Sequence, residues 1–230
     1  MSESSHRRVL EPNATLFAIL TTVGVSIGGL VEIVPLFSAG SGPEPMADVH
    51  PVTPLELAGR DIYIREGCYN CHSQMIRPMR AETMRYGAWT RAGEYQWDHP
   101  FQLGSRRIGP DLQREGGKRP NTWHYDHMKD PRSITAGSIM PTYGWLFEQK
   151  VANDDIIASI NAMITLGVPY DADPASWVPA NVEAQQKAIV ADLATTKREA
   201  APDDEIVAMI AYLQRLGKDG SAAIAAKSTP

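Results

Sequence analysis

The longest apolar run of the chain lies close to its start. Residues 14–37 read ATLFAILTTVGVSIGGLVEIVPLF and carry one charge, Glu32. A helix rises about 1.5 Å per residue, so this run extends roughly 36 Å, which is enough to cross a bilayer with some tilt. The pattern predicts a single transmembrane helix over 14–37, preceded by a short segment, 1–13. We interpret Glu32 either as an interfacial carboxylate or as a contact with a partner helix.

Basic residues flank only the N-terminal end of this run. His-Arg-Arg occupies 6–8, and the next Lys or Arg after the run is Arg60. Because Lys and Arg beside a membrane span favour the cytoplasm, we expect 1–13 in the cytoplasm and the remainder on the outer side. A cleaved signal peptide is the alternative, although the run is longer than the apolar part of a signal, about 7–15 residues.

A linker, 38–54, that is rich in Gly, Pro and Ser follows the apolar run. Helical periodicity resumes directly after it. We predict a helix from about Pro54 up to Gly67, with Thr53 as its N-cap and Glu56 completing a capping box.

Two further segments have helical periodicity. No segment of the chain has a convincing strand pattern. The last helix follows Asp203, ends at Gly217 and carries apolar residues at helical spacing: Ile206, Met209, Ile210 and Leu213. Residues 182–197 predict an amphipathic helix with three residues turned inward: Ile189, Val190 and Leu193. We therefore predict an all-α chain with one folded domain over 55–217 and a disordered tail, 218–230, rich in Ala, Ser, Gly and Lys.

Composition excludes some partners. The net charge of −5 and the pI near 5.7 argue against a nucleic-acid partner, which usually requires a strong basic excess. The chain has two cysteines, Cys68 and Cys71, so it has no extensive disulfide framework.

Both cysteines belong to the pattern Cys68-Tyr69-Asn70-Cys71-His72. This C-x-x-C-H pattern is typical of c-type haem attachment. On a helical turn both thiols face the same way, so each can form a thioether with one porphyrin vinyl group, and His72 can ligate the iron. A redox-active dithiol and half of a zinc site are the alternatives. Zinc normally needs four ligands, and a thioredoxin-like dithiol needs no adjacent histidine.

The second axial ligand of such an iron has to be chosen among nine methionines. Met140 lies in a loop without periodicity, and Pro141 stiffens that loop. Other methionines follow His72 too closely or lie on apolar helical stripes: Met75, Met79, Met163 and Met209. A histidine, His124 or His127, is the alternative ligand. A thioether ligand would favour ferrous iron and close it to oxygen.

Several motifs together resemble class I cytochrome c. They are a helix leading into C-x-x-C-H, Gly-Pro-Asp-Leu at 109–112, Met-Pro at 140–141 and a last helix ending in Ala-Tyr-Leu at 211–213. The resemblance implies that the first and last helices cross, that the haem lies in an apolar pocket and that the methionine of Met-Pro is its second ligand. It also implies that the Pro110 carbonyl accepts a hydrogen bond from His72. An ordinary Gly-Pro turn is the alternative.

The segment between His72 and Gly109 is an insertion, longer than a minimal cytochrome c needs. It combines arginines with large aromatic residues: Arg77, Arg80, Arg85, Arg91, Arg106 and Arg107 with Tyr86, Trp89, Tyr95, Trp97 and Phe101. This composition is typical of an interface core. A solvated loop with scattered aromatic residues is the alternative.

Longer runs in and around the insertion add a closer resemblance. They are CHSQMIRP (71–78), RYG (85–87), HPFQ (99–102), GPDL (109–112), DPR (130–132), MP (140–141) and LGVPY (166–170). These runs closely resemble the mono-haem subunit, subunit II, of cbb₃-type cytochrome c oxidases, over most of residues 10–215. The resemblance implies a single-pass protein of the bacterial inner membrane with its haem domain in the periplasm.

This family resemblance implies an electron relay through one covalently bound haem c. Electrons would come from a soluble cytochrome c or from the di-haem subunit of the oxidase. They would pass to the haem–copper catalytic subunit, where oxygen is reduced and protons are translocated, so this chain is expected to hold no oxygen-reducing site. The resemblance further implies that Ser105 helps to bind a calcium ion at the subunit interface.

Three other functions share part of this pattern. The cytochrome c subunit of nitric oxide reductase has the same layout of anchor and haem domain. A free-standing, membrane-tethered electron shuttle would not need the long insertion. A haem peroxidase or gas sensor would need an open iron site, which a ligand at Met140 opposes.

Overall fold

The computed structural model describes residues 10, 12–38, 45–104 and 106–221. The chain divides into an N-terminal unit and a larger unit that begins at Pro45. Within the described residues there is no strand, and the only β-type pairing is an isolated bridge between Lys150 and Asp204. The predicted all-α, cytochrome c-like fold is confirmed.

The N-terminal unit contains helix α1, Ala14–Ser38. The side chain of Asn13 begins this helix by accepting a hydrogen bond from the Leu16 backbone N–H at 3.0 Å. Residues Ala14–Pro35 have a mean hydropathy of 2.0, and protein buries none of the helix. By length and hydropathy α1 is a candidate membrane span, as predicted. Most of the predicted segment 1–13 lies outside the described residues.

The larger unit is built from helices of very different length. They are α2 (Pro54–Arg65), α3 (Arg80–Tyr86), α4 (Asn121–Lys129), α5 (Pro131–Ile134), α6 (Asn153–Thr165), α7 (Pro174–Thr195) and α8 (Glu205–Arg215). Short 3₁₀ turns occur at Cys68–Asn70, Ala92–Tyr95 and Gly144–Phe147. The carboxylate of Glu56 accepts a hydrogen bond from the Thr53 N–H at 2.7 Å, so the predicted capping box begins α2.

Helices α2 and α8 cross at close range and form the centre of the core. A side chain at Gly59 would meet the backbone of Ala208, with its Cβ only 2.7 Å from the Ala208 carbonyl carbon. Tyr63 packs edge-on against Tyr212, with ring centroids 5.3 Å apart. Helix α8 is buried along almost its whole length. The crossing of first and last helices is the arrangement that the class I cytochrome c resemblance implies.

Helix α7 accounts for much of the segment that the sequence left least explained. Leu193 is fully buried, and Ile189 and Val190 pack partly against the core, as predicted. The helix begins at Pro174, eight residues before the predicted start. Val178 is buried on the added turns, and Val182 is buried at the predicted start. The prediction missed these turns because a proline inside a helix, here Pro179, usually ends it.

The end of the larger unit is tied to its beginning. Residues 218–221, predicted to be disordered, form a further helical turn, and residues 222–230 lie outside the described part of the chain. Asp219 accepts hydrogen bonds from the His50 backbone N–H at 2.8 Å and from Arg215 Nη2 at 2.5 Å. Arg215 Nη2 also donates to the His50 carbonyl at 2.9 Å. We call His50, Arg215 and Asp219 the terminal clasp.

Candidate functional site

The two cysteines lie on a tight turn directly after α2. Gly67 has a φ of 68°, which turns the chain away from the helix axis and favours glycine. The backbone N–H groups of Cys71 and His72 then donate to the Cys68 carbonyl at 3.1 and 2.9 Å. Both thiols are free; Cys68 is buried and Cys71 is partly exposed. The turn therefore keeps two unlinked thiols close together beside the histidine.

The environment of Cys68 argues against redox-dithiol chemistry. Burial raises the pKa of the Cys68 thiol to about 12, so the group is protonated near neutral pH. Reactive dithiols depend instead on a thiolate with a lowered pKa. A buried, protonated thiol at this position fits a structural role, such as attachment to an apolar group.

A hydrogen bond fixes the imidazole of His72. The Pro110 carbonyl lies 2.9 Å from His72 Nδ1. Because a carbonyl only accepts, Nδ1 must carry the proton, and the lone pair is then on Nε2. Burial lowers the pKa of His72, so the ring is neutral near pH 7. The site thus offers one basic nitrogen to a metal ion, and the contact with Pro110 is the one that the family resemblance implies.

Gly109 lets the chain pass against the face of this ring. A Cβ at Gly109 would lie 2.7 Å from His72 Nδ1 and 2.8 Å from Nε2, so any larger residue would displace the imidazole. The N–H groups of Ile108 and Gly109 both donate to the Cys71 carbonyl at 2.9 Å. These contacts hold the Gly-Pro segment against the C-x-x-C-H turn.

Met140 lies in the loop after α5. It is half-buried and packs against the core cluster, whereas its neighbour Ile139 is 77% exposed. The Met140 N–H approaches Ser138 Oγ at 3.3 Å, and the Tyr143 N–H donates to the Met128 carbonyl at 2.9 Å, which anchors the loop to α4. Ligation of iron by Met140 stays a prediction.

Helix α4 carries the two histidines that were the alternative ligands. His124 is 1% exposed, and its Nε2 has no hydrogen-bond partner; the buried Nδ1 of His127 also has none among the described residues. Burial is the main reason that the pKa of both rings is lowered to about 4, and the nearby His72 contributes to the lowering at His127. The ring of His127 stacks on Trp123 with centroids 4.5 Å apart. Buried polar atoms are normally satisfied, so these orphan nitrogens fit a pocket completed by a bound polar group. No local sequence pattern indicates these orphan nitrogens beyond the residue type.

The insertion has an inner and an outer face. Tyr95 is buried and donates to the Gln74 carbonyl, and Trp97 Nε1 donates to the Val49 carbonyl at 2.9 Å. These two aromatic residues, predicted to lie in an interface, instead support the domain itself. The outer face keeps an exposed set of apolar and basic residues: Arg77, Met79, Arg80, Met84, Arg85, Trp89, Phe101 and Arg106.

The calcium prediction cannot be located in the fold, because Ser105 lies outside the described residues. Elsewhere in the described ranges, no group of three or more His, Cys, Asp or Glu side chains is arranged to hold a metal ion. Calcium binding stays a prediction.

A comparison with known families bears on the whole chain. The family described as cytochrome C oxidase, mono-heme subunit/FixO, matches residues 7–219, which include α1, the C-x-x-C-H turn and α8. Among curated proteins, none matches the chain.

Proposed function

Because the chain belongs to the FixO family of cytochrome c oxidase mono-haem subunits, we propose that it relays single electrons to the catalytic subunit of a cbb₃-type oxidase. The family establishes an oxidase subunit with one haem and other subunits beside it. The observation that carries the finer proposal is the neutral His72, directly after two unlinked thiols. Its Nδ1 is held by Pro110, and its Nε2 has no hydrogen-bond partner among the described residues.

Different residues of the site would attach the haem and ligate its iron. Cys68 and Cys71 would form thioethers with the two vinyl groups, and His72 would ligate the iron through Nε2. Met140 would supply the sulfur ligand on the opposite side. The bound haem supplies a one-electron iron couple. The chain contributes the ligands, an apolar surrounding that excludes water, and the hydrogen bond that fixes His72.

An iron ion without an open coordination site would suit electron transfer and not oxygen reduction. With His72 and Met140 both bound to the iron, no site would remain for oxygen, and oxygen reduction would take place in the haem–copper subunit. We expect electrons to arrive from a soluble cytochrome c or the di-haem subunit. The exposed outer face of the insertion, with its arginines, Met79, Trp89 and Phe101, is the surface that we assign to docking within the oxidase.

The N-terminal helix supports a membrane location. Helix α1 would anchor the protein in the bacterial inner membrane, with basic residues 6–8 in the cytoplasm and the haem domain in the periplasm. Such a domain would meet both the soluble donor and the outer side of the catalytic subunit. We retain calcium near Ser105 as part of the proposed subunit interface.

Purification in mild detergent tests the proposal. We expect the chain to copurify with a haem–copper subunit in a complex that consumes oxygen, and to keep haem-dependent peroxidase staining on a denaturing gel. Replacing both Cys68 and Cys71 with Ala should remove that staining, whereas Ser133→Ala, an exposed residue, should not. A wild-type chain without covalent haem would contradict the assignment of haem attachment to Cys68 and Cys71. A chain that purifies alone, or a complex that consumes nitric oxide and not oxygen, would contradict the oxidase relay.

A further inference from the structure

One arginine joins the insertion to the proximal side of the site. Arg107 Nε donates to Ser73 Oγ at 2.8 Å. Its Nη2 donates to the Met75 carbonyl and to Glu82 Oε2, both at 2.8 Å. The same nitrogen lies 3.4 Å from Asp111 Oδ2. The side chain is 20% exposed, so these contacts are largely shielded from water.

Asp111 connects the two backbone segments that Arg107 contacts. The residue is 4% exposed. Its Oδ2 accepts from Ser73 Oγ at 2.6 Å and from the Met75 N–H at 2.9 Å, and its Oδ1 accepts from the Gln113 N–H at 2.9 Å. Arg107 supplies the positive charge that keeps this buried carboxylate compensated, which is the condition for a buried charge to be tolerated.

This network begins one residue away from each partner of the proximal hydrogen bond. Ser73 follows His72, and Asp111 follows Pro110. A backbone bond from the Leu112 N–H to the Ser73 carbonyl, 2.8 Å long, runs beside it. The relative position of the two segments therefore decides whether the Pro110 carbonyl reaches His72 Nδ1.

We propose that Arg107 is a positioning residue that holds the Pro110 carbonyl on His72 and thereby sets the reduction potential of the haem iron. The inference rests on the ligation of iron by His72 in the proposed function. A hydrogen bond from Nδ1–H to a carbonyl makes the imidazole a stronger electron donor to iron through Nε2, which favours ferric iron. Loosening the network weakens this bond and raises the potential.

The substitution Arg107→Lys distinguishes the effect of the hydrogen bonds of Arg107 from the effect of its positive charge. Lysine keeps the positive charge but lacks the planar fork of donors that reaches Ser73, Met75 and Glu82 together. In the full-length, haem-bearing chain in mild detergent, we expect a higher midpoint potential than in the wild type. We also expect exchange of the His72 Nδ1 proton with deuterium, followed by NMR, to be roughly two- to tenfold faster, the range for loss of one hydrogen bond. A wild-type potential in this variant would show that the contacts specific to the guanidinium do not set the potential, and it would overturn the proposal.

Arg114→Lys is the matched control. Arg114 also anchors the insertion, with a side chain 9% exposed and bonds to Glu94 of 2.5 and 2.8 Å, but it makes no bond to 71–75 or 108–111 in the described structure. We expect this variant to keep the wild-type potential. Equal shifts in both variants would indicate general loosening of the domain and would count against a specific role for Arg107.

Ser73→Ala keeps the proposal testable if Arg107→Lys does not accumulate. It removes only the hydroxyl group between Arg107 and Asp111, and it should raise the potential in the same direction by a smaller amount. An unchanged potential would overturn the inference. Absence of covalent haem in the wild-type chain would defeat the proposed function itself, whereas a haem-bearing wild type with unresponsive variants would defeat this inference alone.

Discussion

The state of His72 is set by two neighbours that the chain supplies itself. The Pro110 carbonyl determines which nitrogen carries the proton, and burial keeps the ring from taking up a second one. Gly109 leaves just enough room for the ring. The imidazole is therefore oriented and neutral through the fold alone, and binding of a metal requires no change of tautomer.

Replacing Met140 with Leu tests the second ligand. We expect the ferric protein to lose the charge-transfer absorption that a methionine sulfur gives with low-spin iron. The midpoint potential should fall, because the thioether stabilises ferrous iron. Optical spectra and a redox titration of the full-length chain measure both effects. Met163→Leu, at a position 5% exposed in α6, should change neither. An unchanged spectrum in Met140→Leu would exclude Met140 as a ligand.

The sequence predicted the residues of the site that lie in short motifs and missed those that meet across the fold. Cys68, Cys71 and His72 lie within five residues, so their spacing alone predicts haem attachment. The bond between Arg107 and Ser73 joins residues 34 positions apart, and only the folded chain brings them together. The unpartnered nitrogens of His124 and His127 were equally invisible, because burial is not encoded in a local pattern.

The crossing of α2 and α8 is the contact on which the position of the C-x-x-C-H turn depends. The turn follows α2 after Arg65, and Gly59 of α2 packs directly against the backbone of Ala208 in α8. A shift of α2 relative to α8 would therefore move both thiols. No side chain separates the two helix backbones at this point, so the packing leaves little room for relative movement.

Gly59→Ala tests this crossing. The new methyl group would overlap the Ala208 backbone, so we expect the helices to separate and the free energy of unfolding to fall by roughly 1–3 kcal/mol, the usual cost of overpacking. Urea unfolding followed by tryptophan fluorescence measures the change. Gly144→Ala, where an added methyl would meet nothing within 4 Å, should be nearly neutral. Equal stability of both variants would contradict the close crossing.

Helix α3 contributes a pH-dependent contact. The hydrogen bond from Arg107 lowers the pKa of Glu82 to about 2, from 4.5 for an ordinary glutamate. The unfolded chain therefore binds a proton at Glu82 between pH 4.5 and 2 while the folded chain does not. Stability from this contact is complete above pH 4.5 and is lost as the pH falls toward 2.

Urea unfolding across this pH range, with Glu82→Gln for comparison, measures the contribution. The wild type should lose about 2 kcal/mol more than the variant, a typical value for a hydrogen bond to a charged group. Glu183→Gln removes an exposed pair with Lys187 and should leave the slope unchanged, because exposed ion pairs contribute little. Parallel curves for wild type and Glu82→Gln would refute the assignment.

Over the whole molecule, the division into two units has a direct consequence for expression. The core, the candidate haem ligands and the insertion all belong to the unit that begins at Pro45. We expect residues 45–230, exported to the periplasm behind a cleavable signal, to be soluble without detergent. Their haem content and absorption spectrum should equal those of the full-length chain. A truncated protein that aggregates or lacks haem would show that the N-terminal unit is needed for folding of the site.

The terminal clasp, together with the contacts just before it, would shield the site from force along the chain. Tension that arrives along the chain from its N-terminal side first meets the hydrogen bonds of Met46 and Val49 with Gln96 and Trp97. It then meets the terminal clasp, which joins His50 to the last helix. The residues between His50 and Cys68 would therefore bear little of this tension. Electron tunnelling falls off steeply with the distance between redox centres. A tether held by these contacts, all upstream of the thioether positions, would keep that distance independent of movements in the tether itself.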